Sequence, residues 1–475
     1  MHFVGPDQLH GFEERLTTDI YPSDFGWTPD WDAPEERIDW WYHNMMSVKQ
    51  AGIAEASNQL DFDDETGFQA TRFLSDHARG NRERPFFLTA SFSHPHDPYA
   101  IRQRHWDRYE GINIDAPRVA PIPHERMDPH SQRLVKVSAM DEVEITEDDV
   151  RRARRAYYGA ISYLDDWVGE LIRALGTFRL ADDTIVVLTS DHGDMLGERG
   201  LWYKMCFFEW AVRVPLIFCA PKRFAPRRVS ALASLIDLLP TLLELGRPAS
   251  GPAAEIETDG QSLAAALDGG ALGERTVLGE YMAEGALAPI LMIRRGRWKY
   301  VWSEADPPML LDLERDPDEL ENLAARPEHA ATAAAFEAGS PAVEPQASVR
   351  KDPREPAGAA PRLWCPHDRA AHGVGLPAGA RRLARVHAQP SGPERGRARP
   401  PLPERGLANR RSAAAAPPRP GAVPDRHPAR ASALRSMPQR TTVYFSRVSS
   451  STRSTRTPMI TMRMMPATTC CISRK

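Results

Sequence analysis

The chain has 475 residues, of which 42% are apolar and 26% are charged, and its formal net charge is −4. The sequence has no run of 18 apolar residues and no basic-then-apolar segment at its amino end, which predicts a cytoplasmic protein without a membrane partner. Its five cysteines have neither zinc-ligand spacing nor the framework of a secreted disulfide protein, so we expect reduced thiols.

Strands and helices alternate along residues 1–270. The predicted elements are, in chain order, strand 86–92, helix 146–176, strand 184–188, strand 214–218 and helix 230–245. The long helix opens with Thr146 and Asp149 in the pattern of a capping box and carries a regular apolar stripe. The alternation predicts an α/β core with a mainly parallel sheet that is covered by helices on both faces.

The pattern changes after Arg275. Short apolar runs at 276–281, 290–293 and 298–302 are separated by turns, which is typical of antiparallel strands. A further strand, an acidic turn and a short helix are predicted within residues 310–324. We therefore expect a small antiparallel subdomain over residues 271–340, after a core over residues 1–270.

The last part of the chain differs from the body in charge. Residues 341–475 hold 25 Lys and Arg against 7 Asp and Glu, a net of +18, whereas residues 1–340 hold 35 against 57, a net of −22. The tail has no interleaved aromatics and no amphipathic period, so we expect no nucleic-acid partner. Its Pro, Arg, Ala and Gly are typical of GC-rich DNA read in the wrong frame. We predict a disordered, frameshifted tail over 341–475, the alternatives being a natural linker or an RNA-binding arm.

Chemically active side chains follow two of the predicted strands. His94 and His96 come after the strand 86–92, Asp191 and His192 follow 184–188, and Lys204 lies across a glycine-containing loop. Carboxyl ends of parallel strands meet at one sheet edge, where ligands bind. A carboxylate, imidazoles and an ammonium suit a divalent cation with a tetrahedral oxyanion, either sulfate or phosphate. The alternative is that Asp191 bonds nearby amides in a turn and that each histidine is structural.

Several segments resemble the sulfatases of the alkaline-phosphatase superfamily. These segments are "SHPHDPYA", "TIVVLTSDHGDMLGERGLWYKM", "RVPLIFCAP" and "LLDLERDPDELENLA". The opening "MHFVGPDQLHGFEERLTTDIYPSDFGWTPDW", with "WWYHN" and "LDFDDE", is similar to the choline sulfatases within that family. The resemblance covers residues 1–335 in unbroken order. It implies the hydrolysis of choline-O-sulfate to choline and sulfate, with a small molecule as partner.

The resemblance also implies roles for individual residues on the sulfate side. Asp191 and His192 would be ligands of a divalent cation, calcium in the family, where asparagine is common at the position of His192. The groups that would bind sulfate and its developing charge are His2, His96 and Lys204, with His94 close by. His2 matches the histidine of the family's Gly-Lys-x-His motif.

The choline side of the substrate has its own implied residues. Trp27 and His43 match positions that face the trimethylammonium group, and an indole face suits a quaternary cation. Glu284, in preference to Glu280, would supply a negative charge opposite the trimethylammonium group. The alternative for Trp27 is a partly exposed core aromatic. The acidic body also suits a cationic substrate.

The chain departs from the family at both ends. No cysteine lies in a Cys-x-Pro/Ala-x-Arg motif, whose cysteine becomes formylglycine in the family, and Met1 falls within the Gly-Lys-x-His motif. A first strand is absent, and the family's carboxy-terminal segment, which completes the choline pocket and the homo-oligomer, is replaced by the tail. We expect negligible turnover from the chain as written. A phosphodiesterase or phosphonate hydrolase of the same superfamily and a non-catalytic remnant that binds choline esters weakly are the alternatives.

Overall fold

The computed structural model describes most of the body of the chain. The described residues are 9, 11–20, 33, 36–37, 42–80, 84–247 and 258–338, and the backbones of 458–463 and 469–474. All of them belong to one compact unit, residues 1–344 with 439–475. A second unit, residues 345–438, lies outside the described residues.

Nine helices and eleven strands are found within the described residues. The helices are α1 Met46–Lys49, α2 Asn58–Arg79, α3 Gln103–Trp106, α4 Pro129–Val137, α5 Glu147–Thr177, α6 Glu209–Val212, α7 Leu238–Gly246, α8 Ala264–Leu267 and α9 Ala330–Ala338. The strands are β1 Gly52–Ile53, β2 Phe87–Ala90, β3 Ala100–Ile101, β4 Thr184–Thr189, β5 Leu216–Cys219, β6 Thr276–Tyr281, β7 Ile290–Arg295, β8 Trp298–Trp302, β9 Met309–Asp312, β10 Pro458–Arg463 and β11 Thr469–Arg474. Within these described ranges, none of the helices combines the length and the apolar character that crossing a bilayer requires.

The long helix α5 forms as the sequence predicts. The Thr146 side chain accepts from the backbone N–H of Asp149, and the Asp149 carboxylate accepts from the backbone N–H of Thr146, which completes the capping box. One face of α5 packs against α2 and β2 in a core whose α5 members include Ala160, Tyr163 and Leu171. Burial of this apolar face stabilises the helix more than its intrinsic propensity does.

Asp149 joins this cap to the amino-terminal part of the core. Its carboxylate accepts from Lys49 Nζ at 2.8 Å and also from Arg152. Burial alone would raise the pKa of Asp149, but Lys49, Thr146 and Arg152 outweigh burial and hold that pKa well below its ordinary value. The ionised form therefore stabilises the fold.

We predict that Asp149→Asn lowers the free energy of unfolding at pH 7 by about 1–3 kcal/mol, because charge-assisted hydrogen bonds are lost. A depressed folded-state pKa contributes stability above the unfolded pKa of about 4, and this contribution disappears as pH falls through the folded-state pKa. Urea unfolding at pH 7 and near pH 3 should show the difference between variant and wild type shrinking with acid. The exposed neighbour Asp148, changed to Asn, is the control. An equal deficit at both pH values would contradict the prediction.

The α/β class of the core is confirmed, with one difference in strand direction. β1 and β3 pair in parallel, Gly52 with Ala100, whereas β4 and β5 pair antiparallel, Val187 with Phe218. The connection from β4 to β5 holds the single-turn helix α6 and no long crossover helix. The chain therefore re-enters the sheet at the end where it left, and β5 runs antiparallel to β4.

The antiparallel carboxy-terminal sheet is confirmed. Strands β6, β7, β8 and β9 lie in that order, and each pairs antiparallel with the next. One face packs on Phe336 of α9 through Ile293, Tyr300 and Leu310. This meander places β8 and the segment after β9 against the loop that follows β4.

Two strands occur within the predicted disordered tail. β10 and β11 form an antiparallel pair, and β11 also pairs with β2, Leu88 with Ile472. An edge strand offers unpaired backbone groups that another strand can bind, which accounts for this pairing. The structure thus has strands at 458–463 and 469–474, where the sequence predicts disorder. The rest of 341–475 lies outside the described residues.

Candidate functional site

An ammonium group and two imidazoles meet at one place in the core. Lys204 Nζ lies 2.6 Å from His96 Nε2 and 3.3 Å from His43 Nε2. The two imidazole rings are 5.5 Å apart between centroids. An ammonium has three donors and no acceptor, so both Nε2 atoms accept from Lys204 and one N–H remains for a ligand.

Asp97 fixes the two imidazoles from the opposite side. The Nδ1 atom of His96 lies 2.7 Å from the Asp97 backbone oxygen and 2.9 Å from its Oδ1. The Nδ1 atom of His43 lies 3.4 Å from the same Oδ1, and Ser47 Oγ donates to Oδ2 at 2.8 Å. Both rings therefore carry hydrogen on Nδ1 and present the Nε2 lone pair to Lys204.

The charges of this cluster follow from the same contacts. Burial alone would raise the pKa of Asp97, but the imidazoles of His43 and His96 outweigh it and hold the pKa well below its ordinary value. Partial burial, helped by the Lys204 ammonium, lowers the pKa of His96. At neutral pH Asp97 is therefore a carboxylate and His96 is a neutral imidazole.

Asp191 and His192 lie beside this cluster, directly after β4. The His192 ring is 6.5 Å from the His96 ring between centroids. His192 Nδ1 lies 2.7 Å from the Gly193 carbonyl oxygen, which can only accept, so Nδ1 carries the hydrogen and Nε2 has a free lone pair. That Nε2 atom is 3.9 Å from Asp191 Oδ2.

Asp191 and His192 offer two atoms that could bind a metal ion. Burial, helped by Lys204 against the opposing effect of Asp191, lowers the pKa of His192 to about 3. A neutral imidazole and a carboxylate that face each other fit a divalent cation. The backbone N–H of His192 also donates to Asp191 Oδ1 at 3.1 Å, so the turn expected as the alternative is present as well.

The loop from β4 to Lys204 is held by buried contacts. Tyr203 stacks on His43 at 4.3 Å between centroids and donates from its hydroxyl to the Asn44 oxygen at 2.6 Å. Asp194 accepts from the Tyr99 hydroxyl at 2.9 Å, and burial raises the pKa of Asp194 to about 7. These contacts fix the position of Lys204 relative to His96.

The structure places His94 apart from His96. Its Nδ1 lies 2.7 Å from Asp63 Oδ2 in a buried pair, and its ring packs edge-on against Tyr163. Asp63 also accepts from the backbone N–H of His94 at 2.9 Å. This anchor holds the turn after β2, which then carries His96 to the Lys204 cluster.

Glu284 is buried beside the phenol ring of Tyr281. It is 9% exposed, and the Tyr281 hydroxyl donates to its backbone oxygen at 3.0 Å and its Oε2 at 3.1 Å. Burial, together with the Glu284 charge, raises the pKa of Tyr42 to about 12. By contrast, Glu280 on β6 is exposed. His2 and Trp27 lie outside the described residues.

The sequence matches known proteins over the whole described body. Residues 14–247 match the family described as Sulfatase, and residues 197–339 match "N-sulphoglucosamine sulphohydrolase, C-terminal". The chain is 53% identical to a choline-sulfatase of Rhizobium meliloti, over 69% of this chain and 64% of that relative. It is 36% identical to arylsulfatase K of Mus musculus, over 38% of this chain and 34% of that relative.

One solved structure matches this chain over a similar share of its length. The phosphonate monoester hydrolase of Agrobacterium radiobacter matches with a TM-score of 0.48 and 23% identity, over 64% of each chain. The chain thus spans less than two thirds of the length of each of these relatives.

Proposed function

We propose that the chain, as a member of the sulfatase family of the alkaline-phosphatase superfamily, binds sulfate esters for hydrolysis, with choline-O-sulfate as substrate. The observation that carries this proposal is the contact of Lys204 Nζ with His96 Nε2 at 2.6 Å, because the His96 ring lies 6.5 Å from the ring of His192, which faces Asp191. An ammonium next to a cation site is suited to a tetrahedral dianion or its ester.

We assign the sulfate chemistry to Lys204 and His96. Charge builds on the sulfate oxygens and on the bridging oxygen as the ester bond breaks, and the Lys204 ammonium offsets that charge. His96 is neutral and accepts from Lys204, so it orients the ammonium without competing for the anion. When a nucleophile attacks the sulfur and the S–O bond to choline breaks, a proton held at Lys204 Nζ can pass to the leaving choline oxygen, which would otherwise depart as an alkoxide.

A divalent cation fits Asp191 Oδ2 and His192 Nε2, where it would supply Lewis-acid polarisation of the sulfate oxygens. Calcium is the cation of the family, although an imidazole ligand is more typical of transition metals than of calcium. The residues of this chain do not supply the formylglycine nucleophile, since none of its cysteines lies in the required motif. We therefore assign binding and charge stabilisation, but no nucleophilic step, to this chain.

The choline end of the ester is assigned to His43 and Glu284. The Glu284 carboxylate is buried against Tyr281 and near Tyr42, and phenol rings beside a carboxylate suit a quaternary ammonium. Trp27 belongs to this side by the resemblance alone. A homo-oligomer rests on the same resemblance, whereas a cytoplasmic location rests on the apolar patterning of the sequence.

The proposal is tested by calorimetry on the 475-residue chain with choline-O-sulfate, with added calcium or manganese and after chelation. We expect binding that needs the cation and is weakened about tenfold or more by Asp191→Asn, because the site loses a charged ligand. Asp182→Asn, at an exposed position, is the control. A sulfate-release assay run beside it should show negligible turnover.

Three outcomes would change the proposal. Tighter binding of phosphocholine than of choline-O-sulfate would favour a phosphodiesterase or phosphonate hydrolase. Enzyme-like sulfate release by this chain would contradict the inference that its 475 residues supply no nucleophile. No binding of either ester, with or without cation, would overturn the assignment of the site.

A further inference from the structure

A buried histidine joins the loop that carries Lys204 to the turn that carries Glu284. His130 lies in the first turn of α4 and is 8% exposed. Its Nε2 atom lies 2.7 Å from the Met205 carbonyl oxygen, and its Nδ1 atom lies 3.2 Å from the Gly285 carbonyl oxygen. Each of these carbonyls belongs to the residue that follows a proposed ligand of the substrate.

The hydrogen on this ring is assigned by its partners. Both partners are acceptors, and a neutral imidazole has one N–H to give. The contact of Nε2 with the Met205 oxygen is shorter than that of Nδ1 with the Gly285 oxygen, 2.7 Å against 3.2 Å, so we place the N–H on Nε2, where it donates to Met205; the Gly285 oxygen accepts from Arg133 Nε at 2.7 Å. Burial keeps the ring neutral by lowering the pKa of His130, with Asp128 favouring and Arg133 opposing its charge.

A third contact links the His130 ring to Glu284 through Tyr281. The Tyr281 ring packs edge-on against His130 at 5.6 Å between centroids, and the Tyr281 hydroxyl donates to Glu284. Arg133, one helical turn along α4, holds the Gly285 carbonyl. Helix α4 thus contacts both loops through adjacent side chains.

We propose that His130 is a positioning residue that sets the spacing between Lys204 and Glu284, and so between the sulfate and trimethylammonium ends of the substrate. This inference rests on the proposed function. A zwitterion with a short fixed linker gains affinity from both halves only when the spacing matches its own length. Loss of the join should therefore weaken the whole substrate more than either isolated ion.

The test compares three ligands on the 475-residue chain with cation present: choline-O-sulfate, inorganic sulfate and tetramethylammonium. His130→Leu removes the donor, and His130→Gln keeps an amide N–H near the position of Nε2. We expect His130→Leu to weaken choline-O-sulfate by about tenfold while sulfate and tetramethylammonium change by no more than about twofold. His130→Gln should recover most of the loss. His124→Leu, at an exposed histidine, is the control.

The outcomes separate a positioning role from a general structural one. Equal weakening of the zwitterion and of sulfate alone would mean that His130 merely supports the fold, and wild-type affinity in His130→Leu would also overturn the proposal. If His130→Leu does not fold, His130→Gln against His130→Asn decides, since the shorter amide cannot reach Met205; equal affinities would then refute it. Failure of the wild-type chain to bind any ligand would instead refute the proposed function, before any substitution is made.

Discussion

Lys204→Ala is expected to lower kcat for choline-O-sulfate by about two to three orders of magnitude, the usual effect of losing one donor to a developing oxyanion. The measurement needs a version of the chain that also carries a Cys-x-Pro-Ser-Arg motif, since the 475 residues contain none. Lys204 Nζ is held by His96 and His43 beside the Asp191–His192 pair, so the charge is fixed in place before the reaction. A charge that acts mainly in the transition state changes kcat more than KM.

The pH profile gives a second readout of the same variant. The Lys204 ammonium helps to lower the pKa of His96, with His43 acting in the same direction and Asp97 against it. Removing Lys204 should therefore raise the pKa of His96 and move the acid limb of any remaining activity to higher pH. Lys222→Ala, at a lysine whose side chain is 42% exposed, is the control. A loss confined to KM, or an unchanged rate, would contradict the role assigned to Lys204.

Lys299→Met is expected to cost about 3–5 kcal/mol of the free energy of unfolding, because it leaves buried carboxylates without a counter-charge. Lys299 on β8 is 1% exposed, and its Nζ lies 2.7 Å from Glu319 Oε1, Glu209 Oε1 and the Phe207 oxygen. Burial raises the pKa of Glu319 although Lys299 opposes it, which shows how costly this carboxylate is to bury.

Urea unfolding followed by tryptophan fluorescence measures this loss, with Lys222→Met as the control. The double variant Lys299→Met with Glu319→Gln should recover part of the stability, since it removes a stranded charge with its partner. A loss below about 1 kcal/mol for Lys299→Met would contradict the prediction, since that is the size expected of a solvent-exposed pair.

Local patterns predict those elements that are formed by neighbours in sequence. The capping box at Thr146 marks the start of α5, and the apolar run before Asp191 marks β4. The 22-residue helix α2 was not predicted, because its sequence is largely polar, although Ser57 gives a signal by capping the Leu60 N–H. The direction of β5 was not predictable from its own residues, because it depends on how the connecting loop folds.

The site residues also fall into two groups: those that local sequence patterns predict, and those that depend on the tertiary fold. His96, Asp191 and Lys204 are found by their positions after strands, whereas Asp97 was overlooked beside His96 despite being a typical partner for an imidazole. In an extended strand, His94 and His96 would point to the same side. β2 ends at Ala90, however, and the following turn sends His94 to Asp63 in the core and His96 to Lys204. Such partners are brought together by tertiary folding, so no spacing in the sequence reveals them.

The hydrogen bond from Lys299 to the Phe207 carbonyl has a consequence for the modularity of the molecule. It makes the carboxy-terminal sheet part of the support for the Lys204 loop, so the sheet cannot be exchanged as an independent module. The two family matches overlap over residues 197–247, which include Lys204 and Phe207. A chimera that joined two relatives at residue 270 would pair each Lys204 loop with a foreign sheet, whereas one that exchanged residues 197–339 as a block would keep Lys299 with Glu209 and Glu319.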